Sequence, residues 1–422
     1  MLYQSNATGY CLSVARWLCV ATAFAVAISV TATSILFVLS FLMACLYVLF
    51  ACLSNSTGKA NALWQGIKQR RALLACWVLF ALYVLGTFYS ISDGHERWRD
   101  LQKMHWLLMA PILAFLFNEP SWRRRLQNSF LLANTLILIL SYAKALGWLG
   151  WVNWLGVDLA SGNNVFFEHI VQTFFMDIAL FIAGYRLLFE AHTLSKKMNY
   201  AYLTLLLFGV FNLFFMEESA TGFLAFFVLM TYLFYQRFSF KGLLYAGFFL
   251  VFLMGLSLSQ SQLIKKRMHT VKQEYTQYQA GQSISSLGLR LAMAKTSVDL
   301  IKQQTWYGYG TGGIKAAMLT KLSKDQIART GLMDYVEISP FNFILQFGLL
   351  GLMGFIIFLR WQFAGIKCLP RQEALLMQGF LLAYLSASLI NCFFISFCET
   401  HLYALMMAMC YGAHHAESQA ES

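Results

Sequence analysis

Twelve stretches of this chain are apolar over most of the length needed to cross a lipid bilayer, and that decides the class of fold before any motif is considered. They fall at 12–31, 34–53, 72–91, 104–117, 128–147, 170–188, 200–216, 221–235, 242–259, 339–359, 374–391 and 393–412. A helix needs about 20 apolar residues to span the hydrocarbon core. Only 12% of the residues are charged and 59% are hydrophobic, against about 25% charged in a soluble domain. The chain lacks the charge to cover a water-facing surface, so lipid is its solvent. We expect an all-α polytopic membrane protein of about twelve transmembrane helices, one domain over 1–422, with a single large hydrophilic loop at 260–338. The first apolar run is followed at once by a second, with no small-residue cleavage site, and reads as a retained span rather than a signal peptide.

Short loops rich in Lys and Arg stay in the cytoplasm. Lys59, Lys68, Arg70 and Arg71 follow the second stretch and Arg123, Arg124 and Arg125 the fourth. Lys196 and Lys197 follow the sixth, Arg237 and Lys241 the eighth, and Arg360, Lys367 and Arg371 the tenth. The intervening loops are balanced or acidic, so both termini are expected in the cytoplasm and every second loop outside. Segment 260–338 belongs to the outward set despite eleven Lys/Arg against five Asp/Glu, because long loops translocate largely regardless of charge. A basic outward surface calls for an anionic partner on that side, such as lipid-borne phosphate or pyrophosphate. The net charge of +12 therefore does not argue for nucleic acid, and no nucleic-acid partner is expected.

The nine cysteines lie almost all in apolar runs, with no C-x-x-C pair and no zinc-like Cys/His spacing. They read as small buried hydrophobes, and neither a metal nor a cofactor is expected. The cluster "YGYGTGG" at 307–313 sets Gly308, Gly310 and Gly313 at G-x-G-x-x-G spacing. A dinucleotide-binding loop needs a strand before it. Here the preceding residues continue an amphipathic helix with Leu289, Met293, Thr296 and Leu300 on one face. The cluster is either a turn between helical pieces or a turn whose backbone N–H groups, around Gly308 and Gly310, approach a phosphate.

The run "SISSLGLRLAMAKTSVDLIKQQTWYGYGTGG" resembles the signature of the O-antigen ligase and polymerase superfamily. There a Ser-rich approach leads to an Arg, a helix and a glycine turn in a large periplasmic loop. "SLGLRLAM" is especially similar to the arginine motif of lipopolysaccharide O-antigen ligases. The resemblance covers the span pattern and, at motif level, 283–354. It implies a GT-C-like membrane glycosyltransferase that works without a metal in the bacterial inner membrane. Such an enzyme moves a glycan from undecaprenyl pyrophosphate to lipid A-core at the periplasmic face. The implied partners are the undecaprenyl-pyrophosphate-linked glycan, the lipid A-core acceptor and membrane lipid. An O-antigen polymerase or a ligase of protein acceptors falls in the same class. A lipid-linked glycan transporter is the rival from another class; it should show paired broken helices in corresponding halves, and this chain has four prolines and one dominant outward loop.

On this resemblance Arg290 takes the place of the family's catalytic loop arginine. A guanidinium stays charged and binds phosphate bidentately, which suits charge growing on a departing pyrophosphate; a surface arginine on an amphipathic helix is the alternative. Two positions depart from the family pattern. "MEESATGFL" holds Glu217 and Glu218 where an Arg usually stands before the eighth span, and no register of "SPFNFILQFG" yields the usual His. Glu337, at the loop–membrane junction where burial raises a carboxyl pKa, is the candidate base, with Asn342 as a residue that positions the acceptor. His169, at the outer start of the sixth span, is a spatial substitute. Lys265, Lys266 and Arg267 are candidates for headgroup or pyrophosphate contacts, or form an interfacial anchor. Arg97, with Arg99 and Lys103 around "DGHERWRD", either faces the same cavity or makes a self-paired turn. Asp177, Glu399 and His401 fall inside expected spans, where ionisable groups are usually functional or paired. Glu399 and His401 are two apart, so they point to different helix faces.

Overall fold

The computed structural model describes residues 2–53, 70–148, 163–217, 219–260, 262–279, 286–322 and 335–413, and every regular element among them is a helix. The chain opens with α1 (Leu2–Ala25) and α2 (Val30–Leu53), which pack on each other, followed by α3 (Arg71–Thr87). A short helix α4 (Gly94–Lys103) leads into α5 (His105–Leu113), which continues as a 3-10 turn, Ala114–Phe117. Then come α6 (Pro120–Ala145), α7 (His169–Phe189), α8 (Lys196–Phe215), α9 (Ala220–Phe238) and α10 (Phe240–Gln260). The hydrophilic segment carries α11 (Gln262–Gln279), α12 (Ser286–Gln303) and α13 (Gly313–Leu319), and the chain returns through α14 (Ser339–Ile366), α15 (Arg371–Ala387) and α16 (Phe397–Gly412).

Seven of these helices, α1, α2, α6, α7, α8, α10 and α14, are long and apolar enough to cross a membrane. The protein is an all-helical, polytopic membrane protein. The other five expected stretches fall on α3, α5 with its 3-10 turn, α9, α15 and α16, each shorter than 20 residues. Boundaries shift where local chemistry sets them. Pro120 pre-sets the first turn of α6, so Arg123, Arg124 and Arg125 ride on the helix rather than in a loop. "DGHERWRD" is not a bare turn: Asp93 accepts a hydrogen bond from the Glu96 N–H at 2.7 Å and starts α4 as an N-cap. The self-pairing expected there is present as the Arg99–Glu96 ion pair.

Helix α7 is the axis of the bundle. Its residues from Gln172 to Arg186 are all buried, as a helix surrounded by other helices must be, and it packs against α6, α8, α9 and α15. A second, smaller apolar cluster lies apart from this core. Leu300 of α12, Ile314, Ala317 and Met318 of α13, Val336, and Leu345 of α14 pack together there, joining the hydrophilic segment to the membrane helix that follows it.

Helix α14 is broken at Gly348, whose φ of 62° and ψ of −148° lie outside the helical region. The break frees the carbonyls of Leu345 and Gln346, and the glycine turn occupies them. Tyr309 N–H donates to Leu345 O at 2.8 Å and Gly310 N–H to Gln346 O at 2.7 Å. Leu349 N–H, which an unbroken helix would direct to Leu345, donates instead to Thr305 O at 2.8 Å. Irregular backbone at membrane depth is tolerated where protein satisfies its polar groups, and here two backbones do so for each other. A Cβ on Gly348 would strike the Trp306 carbonyl, and one on Gly308 would strike the backbone of Leu345 to Phe347. Gly348→Ala combines that clash with positive φ and is expected to destabilise the protein by about 2 kcal/mol or more. Gly247→Ala, facing open space, is the control and stays within about 0.5 kcal/mol. Equal melting temperatures for the two purified variants would count against the crossing as a stability element.

Candidate functional site

Arg290, well inside the hydrophilic segment, and Glu337, at its far end, reach one another. Arg290 sits on the second turn of α12, whose Met293, Ser297 and Leu300 turn inward, which leaves the arginine on the flank. Glu337 stands two residues before α14, in a stretch of backbone held by Val336, which is buried in the small apolar cluster. The Arg290 Nε–Glu337 Oε2 contact is an ion pair, with the side chains 34% and 21% exposed. Both charges are thus screened from water only in part. Burial pushes the Glu337 carboxyl above the usual carboxylate range, and the charge and hydrogen bond of Arg290 oppose that shift.

Asn342 lies in the first turns of α14 and is fully buried. Its Oδ1 accepts from Val336 N–H at 2.7 Å, and its Nδ2 donates to the carbonyls of Val336 and, at 3.1 Å, Ile338. The amide therefore clamps both neighbours of Glu337 and fixes the direction from which that carboxylate meets Arg290. Asn342→Ala leaves the buried N–H and carbonyl of Val336 unsatisfied, at about 1–3 kcal/mol. It is expected to lower both the melting temperature and the rate of any reaction that needs Glu337 in register. A variant with reduced stability but an unchanged rate would confine Asn342 to a purely structural part.

The same end of the bundle gathers a chain of polar side chains. Ser339 N–H donates to Ser388 O at 3.1 Å and Ser339 Oγ to Asn391 O at 3.1 Å, while Asn391 Nδ2 bonds Thr221 Oγ1 at the start of α9. Gln172 Nε2 donates to Glu217 Oε1 at 3.1 Å, and Gln172 Oε1 accepts from Val165 N–H. Glu217, which stands in place of an arginine, is thus buried and hydrogen-bonded. His169 is the first residue of α7, exposed at this end. Glu399 is buried in the first turn of α16, where its carbonyl accepts from Tyr384 OH at 2.6 Å. Asp177 is buried in the middle of α7 with neither carboxylate oxygen hydrogen-bonded.

The glycine turn is used differently from a phosphate cradle. Besides Tyr309 and Gly310, Thr311 N–H donates to Gly86 O, Gly312 N–H to Asp100 Oδ2 and Gly313 N–H to Gly310 O, each at 3.0–3.1 Å. Five successive N–H groups are engaged within the protein, so Gly308 and Gly310 serve the close crossing with α14 rather than a ligand. Arg97 is likewise committed. Its Nε donates to Ser92 O at 2.8 Å and its Nη1 to Thr87 O at 3.3 Å, closing the end of α3. Lys265, Lys266 and Arg267 fall on α11, with side chains outside the described residues.

One contributor was not foreseen, and a second had been named only as one of two alternatives. Asp100 is buried and accepts from both Gly312 N–H and, at 2.9 Å, Gln346 Nε2, so one carboxylate ties the glycine turn to the broken helix. Lys103 Nζ lies 5.8 Å from the centre of the Tyr335 ring, two residues from Glu337, and brings a further cation to the site. The alternating charges of α4 were a visible signal for Lys103; nothing local marks Asp100. Among the described residues no three His, Cys, Asp or Glu side chains are grouped as metal ligands would be.

Comparison with protein-family models matches residues 203–356 to the O-antigen ligase family. The matched stretch runs from α8 into α14 and includes Arg290, Glu337 and Asn342. No curated protein matches the chain.

Proposed function

We propose that this O-antigen ligase-like membrane protein transfers a glycan from undecaprenyl pyrophosphate to lipid A-core at the periplasmic face of the bacterial inner membrane. The contact between Arg290 and Glu337 carries the reading, because it joins the two groups such a transfer needs. The acceptor hydroxyl oxygen bonds to the anomeric carbon of the donor as the bond from that carbon to the pyrophosphate oxygen breaks. The hydroxyl proton passes to the Glu337 carboxylate, and the electron pair leaves with the diphosphate, whose growing charge Arg290 meets. Binding and basicity are then linked. When the diphosphate draws the guanidinium to itself, Glu337 loses the partner that lowers its pKa and becomes the stronger base. Lys103 extends the positive surface, and Asn342 holds Glu337 in place throughout.

A deletion strain tests the assignment. A ligase leaves lipid-linked polymer accumulating and lipid A-core bare; a core carrying a single repeat identifies a polymerase instead. The face of the membrane is tested separately in a chain otherwise free of cysteine. Ala280→Cys is expected to react with a membrane-impermeant thiol reagent added from the periplasm, and Arg124→Cys is not. The reverse pattern would place Arg290 and Glu337 in the cytoplasm and end the proposal.

A further inference from the structure

Three contacts made by His105 at the start of α5 and His401 on α16 demand more protons than two neutral histidines possess. His105 Nδ1 lies 2.6 Å from the Gln102 carbonyl oxygen, His401 Nδ1 lies 2.7 Å from the Phe397 carbonyl oxygen, and the two Nε2 atoms face each other at 3.0 Å. A carbonyl oxygen only accepts, so each Nδ1 must carry a hydrogen, and the Nε2···Nε2 contact needs one more. A neutral imidazole has one ring proton. Whichever tautomers are chosen, two neutral rings leave one of the three contacts with acceptor facing acceptor. An imidazolium–imidazole pair holds three protons and satisfies all three contacts. We infer that His105 and His401 together form a binding site for one additional proton, held on the line between the two Nε2 atoms.

Burial disfavours a charge here, so the extra proton rests on these three hydrogen bonds and on the rings around them. His401 is fully buried. The Phe397 ring lies 4.0 Å from the His401 ring centre, and Phe37 of α2 meets the His401 and His105 rings edge-to-face at 4.7 and 6.0 Å. Aromatic faces attract cations more strongly when water is excluded. Among the described residues no carboxylate is hydrogen-bonded to either ring. On α4, Asp100 is paired with Lys103 at 3.7 Å, and on α16, Glu399 projects from a different face two residues away. From α2 the neighbour is Phe37. The proton belongs to the pair, and its titration is a property of both rings together. Losing it forces one ring to turn and removes the side-chain hydrogen bond that joins α5 to α16. Through Met104 that joint continues into α4, which carries Asp100 and Lys103, so proton occupancy bears on the alignment of the glycine turn and of the residues beside Glu337.

The test is 15N NMR of the full chain, labelled at histidine and held in lipid bilayers, near neutral pH. The expected spectrum shows both Nδ1 atoms protonated and a third proton shared between the two Nε2 atoms. His105→Phe keeps a ring in place, removes the shared-proton signal and returns His401 to an ordinary neutral tautomer; His401→Phe does the same to His105. Two unprotonated Nε2 signals in the wild-type protein from about pH 5 to 8, around the ordinary histidine pKa, overturn the inference, and the wild-type spectrum decides even if a variant fails to fold. Nε2 signals that change on adding a chelator identify a bridging metal ion and overturn it equally.

Discussion

Arg290→Ala reduces glycan transfer by about 10²–10³-fold, the scale of losing one preorganised donor to a developing anion, while expression and membrane insertion stay normal. Arg290→Lys keeps the charge but loses the planar fork, and it also falls well below wild type. The ion pair adds a second signature. Arg290 holds the Glu337 pKa down against burial, so removing it lets that pKa rise. Transfer needs Glu337 ionised, so kcat/KM, which reports the free enzyme with the ion pair intact, falls as pH drops through the Glu337 pKa, and this acid limb moves to higher pH in Arg290→Ala. Because the two residues act as a unit, Arg290→Ala combined with Glu337→Gln costs less than the product of the single losses. Wild-type transfer by purified Arg290→Ala removes the residue from the mechanism. A lowered rate with an unmoved acid limb removes the link to Glu337.

Glu337→Gln keeps the size and hydrogen bonding of the side chain but cannot take a proton. Transfer is expected to drop about 10²–10⁴-fold, the usual range for loss of a general base. The acid limb disappears with it, since the group whose protonation caused it is gone. Pyrophosphate is itself a good leaving group, and if its departure alone drives the reaction the substitution is nearly silent. A near-wild-type rate for Glu337→Gln from about pH 5.5 to 8.5, the window in which such a base titrates, would settle the matter against Glu337. His169→Ala, measured in parallel, separates a base at the start of α7 from no base at all.

How much of this was legible in the sequence depends on how far apart the partners stand. The helices were legible because each apolar stretch is continuous and its signal is local. Arg290 was marked by its motif and Glu337 by its place at a loop–membrane junction, yet nothing in the sequence says that the two touch. Asp100 left no trace because its partners Gly312 and Gln346 are 212 and 246 positions away. The spacing of the glycine turn left two readings open, a turn between helical pieces or N–H groups that approach a phosphate; two of those groups, on Tyr309 and Gly310, answer carbonyls released by a break in α14, and that break depends on Gly348. Asn342 looked like a residue for a substrate hydroxyl; folding instead turns its amide onto Val336 and Ile338.

The crossing of the glycine turn with α14 has a further consequence, one of phase. Thr305, Tyr309 and Gly310 are fastened to Leu349, Leu345 and Gln346, so α12 rises from a fixed base toward Arg290, while the outer part of α14 leads from the same base toward Glu337. An α-helix turns about 100° and climbs about 1.5 Å per residue. One residue inserted between Arg290 and Thr305 swings the guanidinium about a quarter-turn away from a carboxylate that has not moved. An insertion of seven, close to two whole turns, restores the direction but lifts Arg290 by about 10 Å. No change of length within that part of α12 preserves both angle and height, so its residue count is itself part of the site.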